Sequence, residues 1–155
     1  MKLILMTSPT CFVEEDKIIT ALFEEGLDIL HLRKPDIAPM YVERLLTLIP
    51  EQYHKRIVVH ENFYLKDEFK LKGIHINKNI TLLPAGYKGF KTRSCHSFDE
   101  VVMYKNEYDY LFLSPIFNSI SKPDYQSAFT HSELNQASLN GIIDAKVIAL
   151  GGVTF

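Results

Sequence analysis

Seven short apolar segments recur along the chain, and this repetition constrains the fold more than any other feature of the sequence. Several of them are nearly continuous in Val, Ile and Leu, which is typical of strands that are covered on both faces. In chain order they read KLILMT, DILHLR, RIVVHE, GIHIN, FKTRSC, YDYLFLS and KVIALGG. The pattern therefore predicts strands that lie buried beneath covering layers.

Amphipathic segments separate these strands. We expect helices over Glu15–Glu25, Pro39–Leu48 and Phe98–Lys105, and about two helical turns over Tyr64–Lys70. The alternation of strand and helix favours parallel strands joined by crossovers, in a barrel or in a doubly wound sheet. Polar residues gather at the carboxyl ends of many consecutive strands rather than at one switch point, which favours an α/β fold of the TIM (βα)8 barrel type.

The predicted barrel forms a single domain over residues 1–155 and ends after its seventh strand. An open barrel would expose the edges of its first and last strands. We therefore expect the sequence to be a fragment that lacks the eighth strand and the last helices. A content of 46% apolar residues is ample for a substantial core in a domain of this length.

Charge and cysteine usage limit the partners and the location. The formal charge is −2, from 17 basic and 19 acidic residues mixed along the chain, so neither nucleic acid nor an anionic membrane surface is indicated. No segment reaches the roughly 18 consecutive apolar residues that a membrane span needs. The chain has two cysteines, Cys11 and Cys95, in no paired motif, so a reducing cytoplasm is the expected location.

Chemistry-bearing side chains follow five of the predicted strands. Four successive strands each deliver a histidine near the rim where a barrel builds its active site. In chain order the strand-end residues are His31 and Arg33, His60 and Glu61, His75 and Asn77, Ser94 and His96, and Ser114. Any one of these histidines could instead bond a carbonyl or cap a loop.

A metal ion and an anion are both compatible with these residue types. Imidazoles with Glu61 could bind zinc, although no HExxH or other close ligand spacing supports it. A hard cation held by Glu61 and by phosphate oxygens suits magnesium better. An anion could be bound by the side chains of Arg33, Lys34, Ser119, Ser121 and Lys122, which offer charged or directional hydrogen-bond donors. Gly151 and Gly152 could add backbone N–H donors.

Five segments of the chain resemble, in family order, the thiamine phosphate synthases and the related TenI-type thiazole tautomerases. They read HLRKPD, GIHIN, SCHSFDE, YDYLFLSPIFNSISKPDYQSAF and VIALGGV and span nearly the whole chain. The resemblance implies a (βα)8 barrel and a pyrophosphate clamp formed by Ser119, Ser121 and Lys122. A synthase of this family joins hydroxymethylpyrimidine pyrophosphate to thiazole phosphate in thiamine biosynthesis, so these two small phosphorylated substrates and magnesium are implied as well.

The implied site residues can be stated individually. We expect His96 and Lys122 to be catalytic and Glu61 to bind magnesium. Substrate contacts are expected from His31, Arg33, Lys34, His60, His75, Ser94, Ser119, Ser121, Gly151 and Gly152.

The chain departs from the family pattern after three strands. After strand two, Lys34 stands one position away from the family's second cation. After strand three, His60 and Glu61 replace an Asn-Asp pair and keep a longer carboxylate. After strand four, Lys78 and Asn79 occupy the region that should hold the second magnesium ligand.

These departures leave three functions open. In the tautomerases a strand-five histidine, matched here by His96, moves protons between tautomers of a thiazole carboxylate phosphate. Imidazole suits that work because its unperturbed pKa, about 6.5, lies near neutral pH. The hydroxyl-bearing SISK segment favours a synthase, with the tautomerase or a non-catalytic phosphate-ligand binder as alternatives. A homo-oligomer is compatible with the sequence.

Overall fold

A computed structural model describes residues 2–78, 80, 83–118 and 127–152 of the chain. It divides into two compact units, Met1–His75 and Ile76–Phe155. Each unit repeats strand and helix, and within each unit every strand pairs in parallel with the strand that follows it.

The first unit contains four strands, three α-helices and a 3-10 helix. In chain order they are β1 (Ile4–Met6), α1 (Glu15–Glu24), β2 (Ile29–Leu32), α2 (Pro39–Leu48), the 3-10 helix (Glu51–Arg56), β3 (Ile57–Val59), α3 (Leu65–Glu68) and β4 (Gly73–Ile76), whose last residue falls in the second unit. Leu30 of β2 pairs with Ile57, and Val58 of β3 pairs with Gly73. Every residue of β2, β3 and β4 is buried, as expected for parallel strands covered on both faces.

Two amphipathic helices help to build the core of this unit. Ile19 and Phe23 are the apolar residues that α1 buries, and Val42, Leu45 and Leu46 are those of α2. Their spacing of three and four residues places them on one helical face. The remaining surface of both helices is largely exposed, so these helices cover the strands as the sequence predicted.

The second unit contains three strands and two helices. They are β5 (Phe90–Cys95), α4 (Phe98–Tyr104), β6 (Tyr110–Leu113), α5 (His131–Leu139) and β7 (Val147–Ala149). Thr92 of β5 pairs with Tyr110, and Leu111 of β6 pairs with Val147. β6 is fully buried, whereas β5 buries only Thr92 and Cys95.

The predicted α/β class is confirmed, with seven parallel strands in the repeating order of a TIM-like barrel. All four predicted helices are present, although α3 is shorter than the expected two turns. The 3-10 helix and α5 were not predicted. Among the described residues, no helix is long and apolar enough to cross a membrane.

The helix α5 was missed because hydrophobic periodicity cannot predict a helix that buries few apolar residues. Its sequence, HSELNQASL, buries only Ala137, so it carries almost no apolar stripe. Its start is instead encoded by a capping box, in which Thr130 accepts from the backbone N–H of Glu133 and the Glu133 carboxylate accepts from the N–H of Thr130. This T-x-x-E signature was the available signal.

Candidate functional site

Three histidines of the first unit come together in its interior. His31 lies within β2, His60 directly follows β3 and His75 lies within β4, and each is at most 2% exposed. His31 Nδ1 and His60 Nε2 are 2.8 Å apart, at hydrogen-bonding distance. The rings of His60 and His75 stack with centroids 4.1 Å apart, and the His31 ring stands edge-on to both. We call these three residues the histidine cluster.

Burial determines the charge of the histidine cluster. Desolvation lowers the pKa of His31 to about 3. Desolvation also lowers the pKa of His60 well below its usual value, and the positive forms of His75, His31 and Arg33 add to the effect. At neutral pH His31 and His60 are therefore uncharged, so toward a phosphate they could offer only neutral N–H groups.

Glu61 follows the cluster residue His60 and is only partly buried. Its Oε2 accepts a hydrogen bond of 3.0 Å from the backbone N–H of Lys34. Burial raises the pKa of Glu61, the Lys34 N–H and the Arg33 charge oppose that rise, and Asp36 reinforces it. The charges of Arg33 and Asp36 thus both influence the pKa of Glu61. This part of the unit therefore contains two carboxylates and one guanidinium.

Asp36, whose negative charge helps to raise the pKa of Glu61, was not among the predicted site residues. It lies in the HLRKPD segment, three residues beyond Arg33, and adopts a left-handed backbone conformation with φ of +63°. Asp is one of the residue types that tolerate this conformation in turns. A carboxylate at such a turn directly after a strand was the signal that could have identified it.

The Lys34 side chain forms its hydrogen bonds with other groups of the protein. Its Nζ donates to the carbonyl oxygens of Ser8 and Thr10 at 2.9 and 2.8 Å, and to Glu15 Oε1 at 2.6 Å. An ammonium group has three hydrogens, so all of its donors are engaged. Since the side chain is also buried, the predicted contact of Lys34 with phosphate finds no support in these contacts, and Lys34 instead holds the loop between β1 and α1.

In the second unit, His96 follows β5 and is held by neighbouring groups. Its Nδ1 donates a 2.8 Å hydrogen bond to the carbonyl oxygen of Ser114, and its backbone N–H donates to the Glu100 carboxylate. Because Nδ1 carries the hydrogen, the lone pair of the neutral ring lies on Nε2. The ring is only partly buried, and Ser94 lies two residues earlier, within β5.

Gly151 and Gly152 permit a close approach of two backbone segments. Their φ angles are +95° and +65°. A Cβ added to Gly152 would lie 2.4 Å from the carbonyl oxygen of Asn118, and one added to Gly151 would lie 3.1 Å from Pro115 Cα. The glycine pair is therefore required by packing, and its contact with phosphate stays a prediction.

The predicted clamp residues Ser119, Ser121 and Lys122 lie outside the described residues, as does Asn79. The clamp is thus still a prediction from sequence. Lys78 is described and is exposed. Of the described strand-end residues, the structure brings His31, His60 and His75 together and places Arg33 within electrostatic range of Glu61.

Comparison with known proteins identifies relatives along the whole chain. The model of the family described as thiamine monophosphate synthase (TMP-TENI) matches residues 3–155. The crystal structure of thiamine phosphate pyrophosphorylase from Bacteroides thetaiotaomicron is 59% identical, with a TM-score of 0.89 over 99% of this chain and 74% of that one. No match was found among curated proteins.

A more distant solved structure shares the fold. Thiamine phosphate pyrophosphorylase from Pyrococcus furiosus is 15% identical, with a TM-score of 0.76 over 99% of this chain and 76% of that one. At this identity the likeness concerns the fold alone. The two structural matches agree with the order of strands and helices that each unit displays.

Proposed function

The chain belongs to the thiamine monophosphate synthase family, and from that premise we propose that it is a transferase that makes thiamine phosphate. Its substrates would be hydroxymethylpyrimidine pyrophosphate and thiazole phosphate, and pyrophosphate would be released. The observation that carries this proposal is the 59% identity, along 99% of the chain, to a protein called thiamine phosphate pyrophosphorylase.

The proposed reaction breaks one bond and forms one. The bond between the pyrimidine methylene carbon and the pyrophosphate oxygen breaks, and its electron pair leaves with the pyrophosphate. The thiazole nitrogen supplies the electron pair of the new bond to the same carbon. The protein's tasks are to stabilise the leaving anion and to hold the nitrogen in line with the carbon.

Arg33 is the described residue best suited to the leaving anion. It lies at the end of β2, and a guanidinium can bind phosphate oxygens through two parallel hydrogen bonds. We assign the remaining pyrophosphate contacts to Ser119, Ser121 and Lys122, as in the sequence prediction. Lys34 is omitted from this set because its three ammonium hydrogens already bond the protein.

The carboxylates near Arg33 fit a magnesium ion. Magnesium prefers oxygen ligands and is usually held by one or two carboxylates together with substrate phosphates. Glu61 offers such a carboxylate, oriented by the N–H of Lys34, and Asp36 places a second one nearby. Glu61, with Asp36 as an auxiliary, would hold the ion, which when bound would neutralise part of the pyrophosphate charge.

A tautomerase is the second candidate, and the geometry of His96 favours it. Because Nδ1 donates to the Ser114 carbonyl, Nε2 is the atom that could take up and return a proton. Only a base is needed for that reaction, and no pyrophosphate leaves.

Both cysteines are free thiols, which supports the proposal of a reducing cytoplasm for either enzyme.

The deciding experiment measures thiamine phosphate formation from both substrates, with magnesium and then with a chelator. We expect product only with magnesium. No product under either condition, together with conversion of a thiazole carboxylate phosphate tautomer, would replace the synthase by the tautomerase. Binding of pyrophosphate without any turnover would instead indicate a binder.

Two variants test the assigned residues. Glu61→Gln removes the charge at constant size, and we expect the magnesium concentration for half-maximal activity to rise more than about tenfold. Lys122→Ala should weaken pyrophosphate binding more than about tenfold, since a hydrogen bond to a charged group contributes roughly 1.5–3 kcal/mol. Lys88→Ala, at an exposed lysine, is the matched control and should leave both quantities unchanged.

A further inference from the structure

We propose that the histidine cluster, His31, His60 and His75, binds a divalent transition-metal ion of the zinc type. This site would be distinct from the magnesium site at Glu61, and it does not depend on the proposed synthase activity. Three adjacent parallel strands, β2, β3 and β4, supply the three imidazoles.

The nitrogens are near enough to one another to surround a single ion. One ring nitrogen from each histidine lies within 4.8 Å of the other two. A point equidistant from three atoms at that maximum separation is about 2.8 Å from each, whereas zinc–imidazole bonds are about 2.0–2.1 Å. Each nitrogen would therefore have to move about 0.7 Å towards the centre to complete three bonds.

The burial of the rings also suits a metal. Imidazole nitrogen is a common ligand of transition metals in proteins. All three side chains are at most 2% exposed, so the position between them lies inside the protein. Among the described residues, this is also the one group of three histidine, cysteine or acidic side chains whose ligand atoms converge in this way.

The surroundings narrow the choice of ion. Zinc, copper(II), nickel and cobalt bind imidazole nitrogen strongly, whereas magnesium and calcium prefer oxygen. The cluster therefore selects the former group. Three protein ligands would leave a fourth tetrahedral position for water or another small ligand.

The alternative is a cluster held by hydrogen bonds alone. The contact between His31 Nδ1 and His60 Nε2 is such a bond, and a bound ion would replace it if it took either of these atoms. The two arrangements predict different behaviour when metal is added. A hydrogen-bonded core gains nothing from zinc, whereas a metal site raises the melting temperature as the free ion concentration rises.

The first test titrates cobalt(II) into protein that has been purified without a histidine tag and dialysed against a chelator. We expect one equivalent to produce the visible absorption bands of tetrahedral cobalt, and zinc to remove them by displacement. X-ray absorption of the zinc-loaded protein should then show three imidazole nitrogens at about 2.0–2.1 Å. Absence of the bands, or a zinc shell with fewer than three imidazoles, would overturn the proposal.

Substitutions locate the site. His60→Gln and His75→Gln should each weaken zinc binding at least about a hundredfold, because even the loss of an outer-shell partner costs 10–100-fold. His131→Gln, at an exposed histidine of α5, is the matched control and should keep full affinity, as should Glu61→Gln. Circular dichroism establishes which variants fold, and unchanged affinity in a folded cluster variant would contradict the assignment. If neither variant folds, the X-ray absorption of the unsubstituted protein decides.

Discussion

The two units use polar residues in contrasting ways. In the first unit, the strands β2, β3 and β4 are entirely buried and carry two histidines within them, and Lys34 and Glu15 form an ion pair whose side chains are 1% and 4% exposed. In the second unit, β5 and β7 are largely half-exposed, and His96 is only partly buried. The first unit thus pairs its buried charges and imidazoles with one another, although among the described residues Glu15 Oε2 has no hydrogen-bond partner, and the second unit leaves the His96 ring partly exposed.

This difference shows that equivalent positions in a repeating fold need not have equivalent chemistry. Histidines near the ends of four successive strands looked alike in the sequence. Burial makes His31 and His60 neutral groups that bond inside the protein. His96 has Nδ1 bonded to a carbonyl and Nε2 as its lone-pair atom, which suits proton transfer. The burial of each ring therefore determines which chemistry it can offer.

The largest effect is expected from breaking the buried ion pair of the first unit. Lys34→Met leaves the Glu15 carboxylate buried without its partner and removes two further hydrogen bonds to the loop. We expect the free energy of unfolding in urea to fall by about 3–5 kcal/mol. The matched control is Lys17→Met, which breaks the exposed pair with Glu14 and should cost about 1 kcal/mol or less.

A second substitution sharpens this test. Adding Glu15→Leu to Lys34→Met replaces the ion pair by apolar groups, and most of the lost stability should return. If the double variant were as unstable as the single one, the loop contacts of Lys34 rather than the ion pair would dominate. Equal losses in Lys34→Met and Lys17→Met would remove the contrast between buried and exposed pairs.

The next effect concerns pH and the histidine cluster. The folded pKa of His31 is about 3 and its ordinary value is 6.5, so between these values the unfolded chain binds a proton that the folded chain does not. Stability must therefore decrease as the pH falls from 6.5 toward 3, by up to about 1.4 kcal/mol per pH unit for this histidine. Urea unfolding of metal-free protein at pH 6.5, 5.5 and 4.5 measures the slope.

The variant His31→Gln separates the contribution of His31 to the pH dependence of stability from the contribution of the carboxylates. Glutamine does not titrate, so the slope should become shallower by an amount approaching one proton per molecule. The comparison uses slopes, so it tolerates a uniform loss of stability from the substitution. Identical slopes in both proteins would show that His31 is not held neutral by burial.

In the second unit, the largest expected loss comes from Gly152→Ala. Its Cβ would lie 2.4 Å from the Asn118 carbonyl oxygen, whereas a Cβ at Gly141 meets no atom within 4 Å. Both glycines have similar positive φ angles, +65° and +71°, so Gly141→Ala serves as the control for backbone strain. We expect Gly152→Ala to lower the free energy of unfolding by about 1–3 kcal/mol more than Gly141→Ala. Equal losses of stability in the two variants would mean that the backbone at Gly152 can move away from Asn118 without loss of free energy.

The smallest effect is expected at the start of α5. Thr130→Ala removes the acceptor for the Glu133 N–H and should lower the free energy of unfolding by about 1 kcal/mol. Thr130→Ser keeps the hydroxyl and is the control, measured by urea unfolding alongside it. A loss in Thr130→Ser as large as that in Thr130→Ala would attribute the effect to the methyl group instead of the cap.

The sequence alone permitted most of the fold to be predicted. All seven strands were predicted, and the buried ones were recognisable because such parallel strands need continuous apolar residues, as in Ile57–Val59. The helices α1 and α2 were found because each must turn an apolar face inward. The α5 helix was missed because it buries little, and its boundary depends on a single side-chain cap.

The candidate site could be predicted only in part. That His31, His60 and His75 converge follows from their places at neighbouring strand ends. The use of Lys34 could not be foreseen, because a lysine beside a substrate and a lysine bonded to Glu15 read the same in sequence. Asp36 was overlooked because its relation to Glu61 depends on the turn that follows β2.

What the sequence by itself determined is the alternation of strands and helices, the family and the identity of the strand-end residues, because hydrophobic pattern and motif order are local properties of the chain. What only the tertiary structure decided is which of those residues are buried, neutral or already bonded. Those properties arise from desolvation and from partners far away in sequence, such as Glu15 for Lys34 and Ser114 for His96.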